Sequence, residues 1–167
     1  MNIRFEQPGD IEKIRELNLQ AFETDAEANL VDVLRNTAVE LISMVAEENG
    51  EVIGHILFSP VALAGGLRIM GLAPMAVLPD WQNRGVGTKL VNAGLQACEE
   101  AGYIAVVVLG HAGYYPRFGF VPSVNYGIKS EYDVPPEVFM VKELQEGALK
   151  GRTGTVKYHQ AFNEVTD

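Results

Sequence analysis

Seven consecutive residues, Gln82-Asn83-Arg84-Gly85-Val86-Gly87-Thr88, place an amide, a guanidinium and two glycines directly ahead of a helical pattern. Such a stretch suits an anion. The first amides of a helix have no intrahelical partner and point outward at the positive end of the helix dipole. Gly85 and Gly87 lack a Cβ, so a phosphate can approach the backbone closely. Arg84 adds a charge-assisted donor. The apolar run from Leu72, bounded by Pro79 and Asp80, reads as a strand end, so the loop joins a strand to a helix. A P-loop requires glycine, four residues, then Gly-Lys-Ser/Thr; here Thr88 separates Gly87 from Lys89 and no glycine stands at Gln82. A Rossmann fingerprint requires a third glycine where this chain has Leu90. Both fail, and Q-x-x-G-x-G after a strand is the spacing that remains. A second stretch that could do chemistry is Tyr114-Tyr115-Pro116-Arg117-Phe118-Gly119-Phe120, which follows the apolar run Ile104 to Leu109.

The spacing Q-x-x-G-x-G after a strand resembles the acyl-CoA pyrophosphate loop of the GNAT superfamily of N-acetyltransferases. The tyrosine-rich heptapeptide resembles a bacterial single-domain branch of it, the YhbS-like acetyltransferases. The resemblance covers roughly Ile3 to Tyr158. It implies acetyl-CoA (coenzyme A) as cofactor, held by backbone amides from Asn83, Arg84, Gly85, Val86, Gly87 and Thr88, with Gln82 and Arg84 as side-chain helpers. It further implies that the backbone of Met75, Ala76 and Val77 pairs with pantetheine. The Met75 amide would then be the oxyanion donor. Tyr115 holds the place of the tyrosine that faces the CoA sulfur in that superfamily, and would protonate the departing thiolate. Set against these roles, the loop could be a plain surface turn, and Tyr115 an aromatic that fills a gap between helix and sheet.

One element of the pattern is missing. Some GNAT enzymes place a glutamate four residues before the oxyanion donor, and this chain has Gly71 there. An amine with a pKa of about 10.4 in water is mostly charged at neutral pH, so some group must accept its proton. His55, Glu23 and His111 are candidates, each with a structural or solvated alternative role, and the base stays unassigned. No residue of either motif looks like an acyl-carrying nucleophile, and Cys98 falls on the helical pattern, so transfer is expected to be direct. The acceptor is read as a primary amine: a small metabolite, an antibiotic-like amine, a peptide N-terminus or a lysine. A rival reading is a non-catalytic acyl-CoA-binding sensor, supported by the missing glutamate and opposed by Tyr115. A third is a structural subunit whose glycine loop only turns.

These groups need elements to position them. Asn2 to Glu6 reads as a first strand, and Pro8-Gly9-Asp10 opens a helix with Ile11, Ile14, Leu17 and Ala21 at helical spacing. Asp25 can cap a second helix carrying Leu30, Val31 and Leu34. Strands Leu41 to Glu47 and Glu51 to Val61 flank Asn49-Gly50, a type I′ hairpin signal. Pro60 suggests irregular pairing or an end there. After the Ala64-Gly65-Gly66 turn, Leu67 to Val77 returns as a strand with Pro74 inside it, so one side of its pairing must break. Gly85 to Ala101 is the best helix, stopped by Gly102, and Ile104 to Leu109 is a strand buried on both faces. Glu137 to Leu144 and Thr155 to Tyr158 read as later strands. The expected fold is mixed α/β: a mostly antiparallel sheet, splayed at its centre as the GNAT resemblance implies, with helices on both faces.

Composition narrows the classes. The 167 residues suit a single N-acetyltransferase domain spanning 1–167, and a hydrophobic fraction of 47% can supply its core. A formal charge of −9 argues against a nucleic-acid footprint. No apolar run reaches membrane-spanning length, and the polar start is no signal peptide. One cysteine cannot form an internal disulfide, which fits a cytoplasmic location. Three histidines and that cysteine lack ligand spacing, so no metal is expected. Strand edges near the C-terminus could pair two subunits, as they do in some relatives.

Overall fold

The computed structural model describes residues 1–37 and 39–164; residue 38 and residues 165–167 of the expected domain lie outside the described residues. In chain order the elements are β1 (Asn2–Phe5), α1 (Ile11–Ala21), α2 (Ala26–Arg35), β2 (Ile42–Glu48), β3 (Glu51–Val61), β4 (Ile69–Val77), α3 (Val86–Glu100) and β5 (Ala105–Leu109). There follow β6 (Val121–Pro122), β7 (Ile128–Ser130), β8 (Phe139–Glu143), β9 (Gly154–Val156) and α4 (Ala161–Glu164). Seven strands are hydrogen-bonded in the order β1-β2-β3-β4-β5-β8-β6, and β7 pairs with β9 apart from them. Pairs β1–β2, β2–β3, β5–β8 and β6–β8 are antiparallel; β4–β5 and β7–β9 are parallel. The fold is mixed α/β with a mostly antiparallel sheet.

The chain forms two compact units, with the backbone passing between them inside β3, β4 and α3. One unit comprises Met1–Ser59, Ala73–Gly94 and the segment from Gln160 onward. Its strands carry helices on both faces. Leu57 of β3 joins a core with Ile14 and Leu17 of α1 and with Leu30, Val31 and Leu34 of α2. Gly54, an odd number of residues away and so on the other face, lies against Val86 and Leu90 of α3. The other unit comprises Pro60–Leu72 and Leu95–His159, and its core gathers Val61, Ile69, Val107, Phe139, Val141 and Val156.

The hairpin formed at Asn49-Gly50 with φ of 52° and 79°, the positive pair that a type I′ turn requires. The first helical stretch begins as a 3₁₀ turn, Pro8–Asp10, before α1. Asp25 stands ahead of α2 without a side-chain cap bond; the Ala26 N–H donates to Thr24 Oγ1 instead, at 3.3 Å. β3 runs through Pro60 to Val61, although its register with β2 ends at Phe58. The later strands are paired as follows. β8 is flanked by β5 and β6, and β9 is paired with β7. Leu144 lies beyond β8, and Tyr158 beyond β9.

β4 and β5 share only Ile69↔Ala105, Met70↔Val106 and Gly71↔Val107. Both strands continue, β4 through Pro74 to Val77 and β5 to Leu109. A proline cannot donate to a ladder, so a broken pairing at this point follows from the sequence.

Helix α3 lies unusually close to β3. A Cβ at Gly94 would stand 2.3 Å from Cε1 and 2.6 Å from Cζ of the fully buried Phe58. Val86, Leu90 and Gly94 repeat every fourth residue, so one helix face follows Gly54 and Phe58 along the strand. Gly94→Ala should therefore destabilise the fold by about 1–3 kcal/mol despite alanine's better helix propensity. Urea denaturation would measure it, against Gly9→Ala, where nothing lies within 4 Å of the new methyl. An unchanged midpoint in Gly94→Ala would count against this close seat.

Candidate active site

The expected anion loop is built as a tight, exposed bend. Beyond β4 the Leu78 N–H bonds to Ile53 O at 2.9 Å, and Pro79–Trp81 makes a 3₁₀ turn. Asn83 and Gly85 both take positive φ, 63° and 84°. Residues that alternate into the left-handed region turn successive amides toward one concave side, which is how backbone nests for anions arise. Helix α3 then starts: the Lys89 N–H closes onto Gly85 O at 3.1 Å, so the N–H groups of Val86 and Gly87 precede the first intrahelical bond. Gln82, Asn83, Arg84 and Gly85 are exposed, Gly87 and Thr88 half-buried, and Val86 buried against β3.

Two side chains of this loop do more than their types announce. Gln82 Nε2 donates to Val77 O at 3.0 Å, tying the loop to the end of β4. The Arg84 guanidinium lies over the Trp81 ring, 5.1 Å from its centroid. Both contacts shape the loop. Gly54 was not singled out from the sequence, yet a Cβ there would meet Val86 Cγ1 and Leu90 Cδ1 at 2.9 Å. Its bareness lets the first turn of α3 settle on β3; only the three-dimensional contact reveals it. Of the strand residues ahead of the loop, Ala76 is buried while Met75 and Val77 are half-buried.

Tyr115 begins a 3₁₀ turn, Tyr115–Phe118, closed by Gly119 at φ 94°. The residue is 8% exposed, and its ring is boxed by aromatics. Tyr114 stands edge-on at 5.1 Å between centroids, Phe120 at 5.6 Å and Phe118 tilted at 6.4 Å. Burial, with Tyr114 adding to it, pushes the phenol up to about 12. The phenol therefore keeps its proton at ordinary pH. Tyr114 differs: it is half-buried and lies under Arg117, whose Nε donates to Tyr114 O at 2.9 Å.

The candidate bases fare differently. Glu23 and His111 are exposed. His55 is fully buried in β3, with Nε2 2.8 Å from Ser43 Oγ, and has no surface to offer an amine. At Gly71, a side chain would collide with Cε1 of Tyr158 and Cγ1 of Val61, both 2.9 Å from an ideal Cβ. The Tyr158 ring takes up the space that a carboxylate stem at this position would need. Among the described residues no cluster of acidic, histidine or cysteine side chains could hold a metal ion, and no helix is long and apolar enough to cross a membrane.

Residues 11–120 match the model of the acetyltransferase (GNAT) family. The chain belongs to that family. As a GNAT protein it is 40% identical over 165 residues, 98% of this chain and 99% of the other, to the uncharacterized N-acetyltransferase YhbS of Escherichia coli K12. The crystal structure of Escherichia coli YhbS in complex with CoA superposes with a TM-score of 0.93 at 40% identity, covering 97% of this chain and 91% of that one. A GNAT family acetyltransferase from Brucella melitensis, solved in complex with acetyl-CoA, gives a TM-score of 0.79 at 37% identity, over 96% of this chain and 97% of that one. The GNAT match ends at Phe120, the last residue of the tyrosine-rich heptapeptide.

Proposed function

We propose that this protein uses acetyl-CoA to acetylate a primary amine by direct transfer, the chain working as one catalytic domain in the cytoplasm. The observation that carries this reading is the exposed bend at Asn83 and Gly85, both in the left-handed region, immediately ahead of α3. Open space surrounds the position where a Gly85 side chain would stand, so the backbone there is accessible to a bulky anion. Acetyl-CoA would supply an acetyl group activated as a thioester. Amides of Asn83 to Thr88 would hold its pyrophosphate, with Arg84 as a neutralising charge and Gln82 fixing the loop through Val77. The backbone of Met75, Ala76 and Val77 would hold pantetheine, and the Met75 N–H would stabilise the carbonyl oxygen as charge develops on it. Tyr115 would give its proton to the departing sulfur, a role its raised pKa suits. Cys98, buried and with its thiol pushed up by burial to about 12, is unsuited to carry the acetyl group, which favours direct transfer.

Gly85→Val tests the loop. A β-branched residue at φ 84° is strained by about 1–3 kcal/mol. We expect CoA affinity, measured by calorimetry, to fall at least about tenfold, the equivalent of 1.4 kcal/mol. Equal affinity in wild type and variant would sink the assignment. Turnover is then read as thiol release from acetyl-CoA across polyamines, aminoglycosides, amino acids and lysine peptides.

The second reading, a non-catalytic acyl-CoA sensor, is favoured by Tyr158 standing against Gly71 where some family members have a glutamate. Tight CoA binding without thiol release on any of these amines would favour the sensor.

A further inference from the structure

Tyr115 owes its position to a residue outside both motifs. Gly110 follows β5 directly, and its N–H donates to Val138 O at 2.9 Å, which fixes the backbone there. The Tyr115 ring lies flush on that backbone. An ideal Cβ on Gly110 would stand 2.6 Å from Cε2, 3.1 Å from Cδ2 and 3.6 Å from Cζ of Tyr115. Real Cβ atoms do not approach so closely, and the obstacle is an aromatic ring with no flexible end to swing aside. Gly110 has no positive φ, so alanine is allowed by the backbone and excluded only by the ring. Phe120, 2% exposed, also packs on Tyr115, its ring inclined at 74° and 5.6 Å away between centroids.

We infer that Gly110 is a positioning residue, its bare backbone forming together with Phe120 a slot that aims the Tyr115 hydroxyl. The inference rests on reading Tyr115 as the proton donor and adds the residue that holds it. Any side chain at Gly110 shifts the ring along the slot. A misplacement on the order of 1 Å at a proton donor can cost about a hundredfold in rate.

The experiment compares wild type, Gly110→Ala, Tyr115→Phe, their double variant and Gly113→Ala, where nothing lies within 4 Å of the new methyl. Two readouts are taken: kcat and KM for acetyl-CoA with the best amine of the panel, and a pH titration of the 13Cζ tyrosine resonances in the ligand-free protein. In Gly110→Ala the Tyr115 resonance should move and titrate at lower pH, as the ring leaves its buried slot. Its kcat should fall at least about tenfold, with KM for acetyl-CoA within about twofold. The double variant should be no slower than Tyr115→Phe alone, because Gly110 acts only through the hydroxyl that Tyr115→Phe removes. Gly113→Ala should match wild type.

Should Gly110→Ala not fold, Phe120→Leu carries the test by loosening the ring contact on Tyr115, and the same loss in kcat is expected. Wild-type kcat in Gly110→Ala, or in Phe120→Leu where that variant stands in, overturns the inference if Tyr115→Phe is itself impaired. If Tyr115→Phe turns over like wild type, the proton-donor reading is overturned, and the role of Gly110 in the reaction falls with it.

Discussion

Tyr115→Phe should lower kcat about a hundredfold or more, while KM for acetyl-CoA stays within about twofold. The substitution removes one oxygen and leaves the ring that Gly110, Tyr114, Phe118 and Phe120 enclose. Thermal stability should therefore change little, and a loss of rate can be read as a loss of proton transfer. The phenol's pKa, raised to about 12 by burial, decides its direction of use. At assay pH the group is fully protonated, so it can donate but cannot serve as the base that deprotonates an amine. It also predicts the alkaline limb: no loss of activity from Tyr115 ionisation should be seen below about pH 11, one unit short of that value. Tyr114→Phe is the natural companion. Tyr114 is half-buried and pinned by Arg117, so its loss should cost far less. If Tyr114→Phe and Tyr115→Phe exchanged effects, the assignment would move one residue along the chain. Should neither alter kcat, no phenol of this turn protonates the leaving sulfur.

Where the sequence could be read, local physics was dominant. Asn49-Gly50 demanded its turn because only residues that tolerate positive φ fit there, and Pro74 broke a ladder because it has no N–H. Residues Val86, Leu90 and Val91 announced α3 by spacing alone, and the loop before it by its glycines. The short strands β6 and β7 were not legible: two and three residues carry no periodicity, and tertiary pairing makes them. The same limit hid Gly54, Gly94 and Gly110. In sequence a glycine signals a turn, but these three matter for what would collide with a side chain, and that neighbour comes from a distant segment in two of them. The Tyr158 ring against Gly71 belongs to the same class. A missing glutamate could be seen in the sequence; what stands in its place could not.

The fold should lose about 3 kcal/mol of stability as pH falls from 7 to 4, through His55. His55, itself fully buried, ends a half-buried polar chain. Arg35 pairs with Glu6 through both terminal nitrogens, Ser43 Oγ donates to Glu6 Oε1 at 2.6 Å, and His55 Nε2 stands 2.8 Å from the same hydroxyl. Burial would raise the Glu6 carboxyl, but the Arg35 and Ser43 hydrogen bonds outweigh it and hold it below the usual range. Glu6 is thus an anion that takes the single Ser43 proton, so Nε2 must carry the imidazole proton and donate to Ser43. That leaves Nδ1 with the lone pair, buried and without a hydrogen-bond partner among the described residues. A second proton there would be a buried charge with no acceptor. Burial chiefly, with Arg35 assisting against Glu6 and Asp10, lowers the imidazole from 6.5 to about 4. The unfolded chain takes up its proton as pH drops through 6.5, whereas the folded chain holds out until about 4, so stability drains away between these values. Glu6 acts in the same direction: a carboxyl depressed in the folded state contributes above its unfolded pKa and loses that contribution as pH falls through the folded one. His55→Gln keeps an amide donor for Ser43 but cannot titrate. Urea unfolding at pH 7 and at pH 4.5 should show the variant less stable at pH 7 and much flatter between the two. An equally steep loss in His55→Gln would mean that other groups carry the acid sensitivity, and that the neutral, single-tautomer imidazole is not what the β2–β3 core depends on.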